Sequence, residues 1–329
     1  MHIRPSSFVL RPAPTWCEDV TAALATLLIP IGVDLVWGEP PARFHPVVWM
    51  GKAIGALERR APGGAQARLA YGAGMAMACV AIFAGPAWLL ERALGRGGLG
   101  GAVALGLCLK PAFAIGALLR ATSRVGETLR RDDLAAARDG LRTLVGRDTS
   151  ALPSPLLAAA AIESVAENLS DSVVAPLFYW ALWGLPGAIA YRAVNTLDAM
   201  VGYRTYRYEH LGKAAARLDD LANLLPARLT ALLLVVAAPL AGGSAGEAWR
   251  VMWRDHCATA SPNAGWPMSV TAGALGVQLE KVGHYRLNRA GRRPEPGDVA
   301  RAISLAQAAL AVGAPLLAGL VVWRARGGA

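Results

Sequence analysis

LAYGAGMAMACVAIFAGPAWLL (69–90) and AISLAQAALAVGAPLLAGLVVW (302–323) decide the class of fold, because each is 22 residues long and holds no Asp, Glu, Lys, Arg or His. A helix needs roughly 20 apolar residues to cross the hydrocarbon core of a bilayer. Two further runs without those residues, 172–191 and 229–246, are 20 and 18 residues long. The whole chain of 329 residues is 54% hydrophobic and only 17% charged, against about a quarter charged in an average soluble domain. These runs predict an all-α integral membrane protein, a multi-pass helical bundle of about five or six spans with re-entrant segments among the candidates.

The net charge of +10 follows from Arg and Lys at span ends and in connections. That is the positive-inside pattern, with attraction to anionic headgroups. No nucleic-acid-binding motif accompanies the charge, so nucleic acid is not expected as a partner; the lipid bilayer is. Cys17, Cys79, Cys108 and Cys257 show no paired spacing, which argues for neither a disulfide framework nor a zinc site.

Residues 1–19 read as a disordered N-terminal tail, and 20–329 as a single membrane-embedded catalytic domain. The apolar stretch 20–33 lacks a small-x-small cleavage site before Asp34 and reads as a retained first span. Residues 69–90 form the second span, and 97–119 a third that breaks near Lys110 and Pro111. Residues 120–148 carry the period of an amphipathic helical pair at a membrane surface. The basic connections 37–68, 120–148, 192–228 and 247–301 face one side only if even numbers of crossings separate them. Residues 149–191 satisfy this as a hairpin or re-entrant pair. The run 229–246 does so only if part of 247–301 re-enters the membrane, for which 269–277 (SVTAGALGV) is the candidate.

Charged residues amid such runs mark chemistry. In ESVAENLSD (163–171), Glu163, Glu167 and Asp171 recur every four residues and fall on one helical stripe. Carboxylates beside lipid are costly and persist where they bind cations, share protons or line a wet cavity. Asn168 and Ser170 add oxygen ligands to that stripe, whereas a solvated interhelical loop is the plainer alternative. Asn195 and Asp198 follow at i,i+3, with Arg192 beside them. Asp219 and Asn223 are i,i+4 neighbours, Asp220 is adjacent, and Arg228 lies two turns on. Magnesium prefers one or two carboxylates with phosphate oxygens, while arginines neutralise the rest; a surface charge network explains the same residues equally well. Weaker candidates are His45, before a proline; Arg147 and Asp148, where Asp148 also suits a helix cap; and Ser261 and Asn263, which suit a cap or an anion site. No phosphate-binding GxxxxGK[ST] loop, HExxH, CxxC or GxSxG occurs.

In this order, GEPPARFHPVVWMGK, VGRDTSAL, ESVAENLSDSVVAPLFYW, PGAIAYRAVNTLDAMVGYR, AARLDDLANLLPARLTALL and SPNAGWP resemble the CobD/CbiB family, the adenosylcobinamide-phosphate synthases of cobalamin biosynthesis. The resemblance runs from about residue 34 to 285 and is densest over 145–233. It implies a multi-pass protein of the bacterial inner membrane, with its site facing the cytoplasm. It also implies an ATP-dependent ligase forming an amide between adenosylcobyric acid and aminopropanol or aminopropanol phosphate, with Mg2+. On that reading Glu163, Glu167, Asp171 and Asp198 are catalytic. Asp219, Asp220 and Asn223 hold metal. His45, Arg147, Asp148, Asn168, Arg192, Asn195, Arg228, Ser261 and Asn263 bind substrate or phosphate. The chain departs from the family's usual pattern in having Glu39 where an Asp is common, Met268 where an acid follows SPNAGWP, and LEKVGHY where that loop is usually glycine-rich. The alternatives are an ion-coupled secondary transporter, for which no inverted repeat speaks, and a Mg-dependent transferase acting on a phosphorylated lipid, whose usual NxxxD or DxxxD spacing is absent here.

Overall fold

The computed structural model describes residues 16–95 and 97–327. Thirteen helices and one small hairpin make up the described chain: α1 Trp16–Val36, α2 Pro46–Glu58, α3 Ala65–Leu94, α4 Gly98–Leu109, α5 Ile115–Arg130, α6 Leu134–Leu141, α7 Ser154–Leu169, α8 Ala175–Val201, α9 Lys213–Ala222, α10 Leu224–Ala237, α11 Ala245–Asp255, α12 Gly265–Leu275, strands β1 Leu279–Lys281 and β2 Tyr285–Leu287, and α13 Pro296–Gly327. Residues 16–19 of the expected tail are thus helical, and residues 1–15 lie outside the described residues.

By length and composition, four described runs suit a membrane crossing: Ala65–Leu94, Gly98–Arg130, Ser154–Val201 and Pro296–Gly327. The pair α9–α10, bent by 43°, makes a fifth, and Val20–Val36 is a shorter apolar helix. The expected break in the third span falls at Lys110–Ala112, a 3-10 turn between α4 and α5. Proline at 111 suits such a turn, since it has no N–H to continue the α ladder.

The run Ser154–Val201 doubles back on itself. A five-residue π turn, Ser170–Val174, joins α7 to α8, and within α8 Gly184 takes φ 69°, ψ −155°. This backbone region is essentially glycine's alone. Tyr179 and Tyr191 consequently stack with ring centroids 5.3 Å apart, and the Tyr191 hydroxyl comes within 3.1 Å of the Asp171 carbonyl. Residues 20 apart on a straight helix would be about 30 Å apart, so the chain returns alongside itself.

A clasp from two other helices holds the apex. Glu91 of α3 accepts the Leu185 N–H at 2.8 Å and faces Arg324 of α13 at 3.6 Å. Arg324 also donates to the Trp180 carbonyl at 2.8 Å. Both arms of the hairpin therefore present their polar ends at the end of the bundle away from this clasp.

Residues 224–275 settle the second topological difficulty in a similar way. The chain leaves along α10, turns at Gly242 in the left-handed region, and returns along α11. Asn263 then donates to the Asp220 carbonyl at 2.7 Å, next to where α10 began. The candidate re-entrant stretch forms the body of α12, which is buried from Gly265 to Leu275 except for Trp266. The polar segment 247–301 thus contains core helix, because small residues let α12 pack closely against α11, α10 and α7.

The amphipathic segment 120–148 supplies the end of α5 and all of α6. Thr122, Val125, Gly126 and Leu129 are buried, as are Ala137 and Leu141. Asp133 caps α6, accepting the Ala136 N–H at 3.0 Å.

Candidate functional site

The hairpin α7–α8 and the helix α9 position the densest group of acids. Glu163 and Glu167 lie one turn apart on α7, Asp171 in the π turn, Asp198 near the end of α8 and Asp219 on α9. Asp198 lies within electrostatic reach of Asp219, Asp220 and Glu167, and Asp171 within reach of Glu167, Asp219, Arg192 and Asp198. The π turn adds a residue to the helical repeat and so alters the simple four-residue stripe at its third member.

These acids differ in what surrounds them. Glu163 is 5% exposed and pairs with Arg147 at 2.9 Å, a contact that fixes the 145–150 loop to α7. Asp219 is oriented by two amides, accepting from Asn195 at 3.2 Å and from Asn223 at 3.0 Å. Asn223 in turn accepts the Tyr191 hydroxyl at 2.9 Å, so its amide orients Asp219 rather than standing free. Arg192 donates to Asn195 Oδ1 at 3.2 Å and approaches the Asp171 carbonyl at 3.5 Å. By contrast, no hydrogen bond among the described residues reaches the carboxylates of Glu167, Asp171 or Asp198. All three are partly accessible. Carboxylates without donors, even half-covered among apolar helices, are costly unless water, a cation or a ligand serves them.

Their chemistry suits a hard cation bound with phosphate: the unserved donors are oxygens, and no thiolate lies among them. Among the described residues, no three His, Cys, Asp or Glu side chains form a ready-made ligand cluster.

The remaining expected residues divide between the rim and local structure. Asp220 lies at the rim within reach of Arg217 and Arg204. Arg228 donates to Asn263 at 3.1 Å and to the Leu224 carbonyl at 2.7 Å, and covers the Trp266 ring at 4.7 Å. Ser261 accepts the N–H groups of Asn263 and Ala264 at 3.2 and 3.3 Å, which caps the turn into α12. Asn168 bonds within its own helix, to the Ser164 carbonyl at 3.0 Å. Asp148 accepts the N–H and hydroxyl of Ser150, bonds that hold its exposed carboxyl below the usual carboxylate range. It caps its turn, as its position before Thr149 and Ser150 allowed.

A second polar group, absent from the expected site apart from His45, adjoins the first. Buried Lys110 pairs with Asp34 at 2.9 Å and Glu39 at 3.0 Å. Asp34 also accepts the Gly116 N–H at 2.6 Å. The Val47 N–H donates to His45 Nδ1 at 3.2 Å, which leaves the ring proton on Nε2 to donate to Glu39 at 3.0 Å. His45 is thus a helix cap and a holder of Glu39. Burial works against the charge on Glu39, but the bonds from His45 and Lys110 outweigh it and hold the carboxyl below its usual range. Glu39 bears in turn on Arg192. A sequence signal existed: Asp34 and Lys110 are lone opposite charges in separate apolar runs, and such residues usually pair.

Also absent from the expected site are Lys281 and Tyr285, from the two-stranded hairpin. Tyr285 lies within electrostatic reach of Glu163, and its hydroxyl is 3.9 Å from Met268 Sδ. Burial, with the acids nearby, pushes its hydroxyl well above the usual range and keeps it a neutral donor.

A multi-pass helical fold with partly accessible, unserved carboxylates close to Arg192 defines a polar site set among apolar helices. The family model described as "CobD/Cbib protein" matches residues 27–313, and the chain belongs to that family. It is 48% identical to "Cobalamin biosynthesis protein CobD" of Dehalococcoides mccartyi, over 80% of this chain and 86% of that protein. Identity is 40% to the protein of the same name from Rhodobacter capsulatus, over 90% and 96% of the two chains. It is 39% to "Cobalamin biosynthesis protein CbiB" of Salmonella typhi, over 83% and 86%. No solved structure matches the chain.

Proposed function

We propose that this protein is a cobalamin-biosynthetic ligase that joins adenosylcobyric acid to aminopropanol or aminopropanol phosphate through an amide, with ATP. The names of its relatives support the pathway. The observation that carries the chemistry is the convergence of unserved Glu167, Asp171 and Asp198 with half-buried Arg192 in one accessible polar site.

A carboxylate is a poor acyl donor, so the reaction takes two steps. An oxygen of the corrinoid carboxylate attacks the γ-phosphorus of ATP, and ADP leaves. The nitrogen of the amine then attacks the acyl carbon, and inorganic phosphate leaves. The incoming ammonium must first lose a proton, and Asp198, accessible and without a donor of its own, accepts it. Arg192, held by Asn195, steadies phosphate oxygens. Asn195 and Asn223 keep Asp219 aimed at the same space, while Arg147 holds Glu163 in place. Glu167 and Asp171 would hold magnesium, which supplies charge neutralisation on the phosphate oxygens.

Purified protein given adenosylcobyric acid, Mg-ATP and each amine should yield adenosylcobinamide or its phosphate, identified by mass, with one ADP per amide. Absence of both products with every donor supplied, in membranes where the protein is folded, sinks this reading.

The charge of the connections and the location of ATP favour a site on the cytoplasmic side of the bacterial inner membrane. Thr205→Cys and Asp220→Cys should then resist an impermeant thiol reagent applied to intact spheroplasts, and react once the membrane is opened. Modification from outside refutes that orientation.

A further inference from the structure

We infer that Lys281, carried on the β1–β2 hairpin, is a further phosphate-binding residue of this site. The inference rests on the ligase reading above and names a residue to which that reading gave no role.

Strand register makes the case. Leu279 pairs with Leu287, Glu280 with Arg286 and Lys281 with Tyr285. Side chains alternate between the faces of a strand, so Lys281 and Tyr285 share a face with Leu279 and Leu287. Both leucines are fully buried, which identifies that face as the one turned to the protein. Glu280 and Arg286 occupy the other face, where they bond to each other at 2.7 Å.

The inward face meets the acids. β1 packs on α7, and Tyr285 of the second strand lies against Met268 within electrostatic reach of Glu163. Lys281, directly opposite Tyr285, is half-buried and within electrostatic reach of Glu167. Yet among the described residues its ammonium closes no ion pair. A lysine held beside an unserved carboxylate, near but not on it, leaves room for a ligand that answers both charges. A magnesium-bound phosphate does so, its oxygens meeting the ammonium and its cation the carboxylate. Lysine is a common point-charge partner for phosphate.

The test is direct binding of Mg-ATP, and of Mg-tripolyphosphate as a competitor lacking the nucleoside, to the full protein in lipid nanodiscs. Lys281→Ala should weaken both by about tenfold, the loss of one charged hydrogen bond of roughly 1.5 kcal/mol. Lys281→Arg should restore most of that affinity. Arg286→Ala, which removes the same charge from the outward face of the same hairpin, should change neither by more than about twofold. Unchanged binding in Lys281→Ala overturns the inference. So does equal weakening in Lys281→Ala and Arg286→Ala, which would mean a general field rather than a contact. A wild-type protein that binds neither ligand removes this inference and the ATP-dependent reading together. Binding as expected without amide formation keeps the phosphate site and rejects only the reaction.

Discussion

Glu167→Gln lowers amide formation by at least about 10²-fold, the usual cost of removing a charge aimed at the reacting groups, while the protein still inserts and elutes as a single species in detergent. The amide keeps the size of the side chain and removes only the charge that no described residue serves. Asp219→Asn has an equal or larger effect for a different reason. Both of its oxygens accept from side-chain amides, Asn195 and Asn223, and an asparagine there must set an NH2 group against one of those donors. A donor facing a donor costs about 1–3 kcal/mol and turns the carboxylate position away from the site. The paired control is Asp132→Asn and Asp133→Asn. Both residues are exposed beside α6, and asparagine caps a helix as well as aspartate does, so turnover stays within about twofold. Near-normal turnover in Glu167→Gln would remove this carboxylate from the mechanism.

Gly184→Ala produces the largest loss of stability. The site depends on both arms of the hairpin returning to the same end of the bundle, and the reversal passes through backbone angles that only glycine adopts readily. A methyl group there would also run into the Glu91 carboxylate and the Arg324 guanidinium. Displacing Glu91 loses its bond from the Leu185 N–H and its pairing with Arg324, on top of about 1–3 kcal/mol of backbone strain, a large share of a typical net stability. The variant should be lost from the membrane fraction, or lose its folded peak in detergent at a temperature the wild type survives. If Gly184→Ala matches the wild type in thermal stability, the apex is not held as described. Glu91→Gln separates the two causes, because it keeps the backbone and weakens only the clasp, so its loss should be the smaller one.

Much of this arrangement was legible from residue order. Spans at 69–90 and 302–323 needed only length and the absence of charge, because lipid offers no partner to a backbone or side chain and so writes its demands into composition. The candidate acids were legible on the same ground: a carboxylate in an apolar run is costly enough to need a reason. The partnership of Asp219 with Asn223 followed from helical spacing alone.

Other features depended on contacts distant in sequence. Residues 172–191 look like an ordinary span, and one glycine conformation, held from outside by Glu91 and Arg324, turns them into part of a hairpin. Periodicity carries no record of that turn, since Trp183, Gly184 and Leu185 read as unbroken apolar sequence. Asp34, Glu39 and Lys110 meet across more than 70 residues, a pairing that composition suggests but cannot place. Segment 247–301 looked like a polar connection because its charges outnumber its apolar runs. The packing of α12, whose small residues fit between three other helices, made it core, and strand register turned Lys281 inward. Local sequence determined which segments lie in the membrane and which residues are costly there, because those costs are paid residue by residue. Tertiary structure decided which of those residues face one another, because that depends on where the chain reverses.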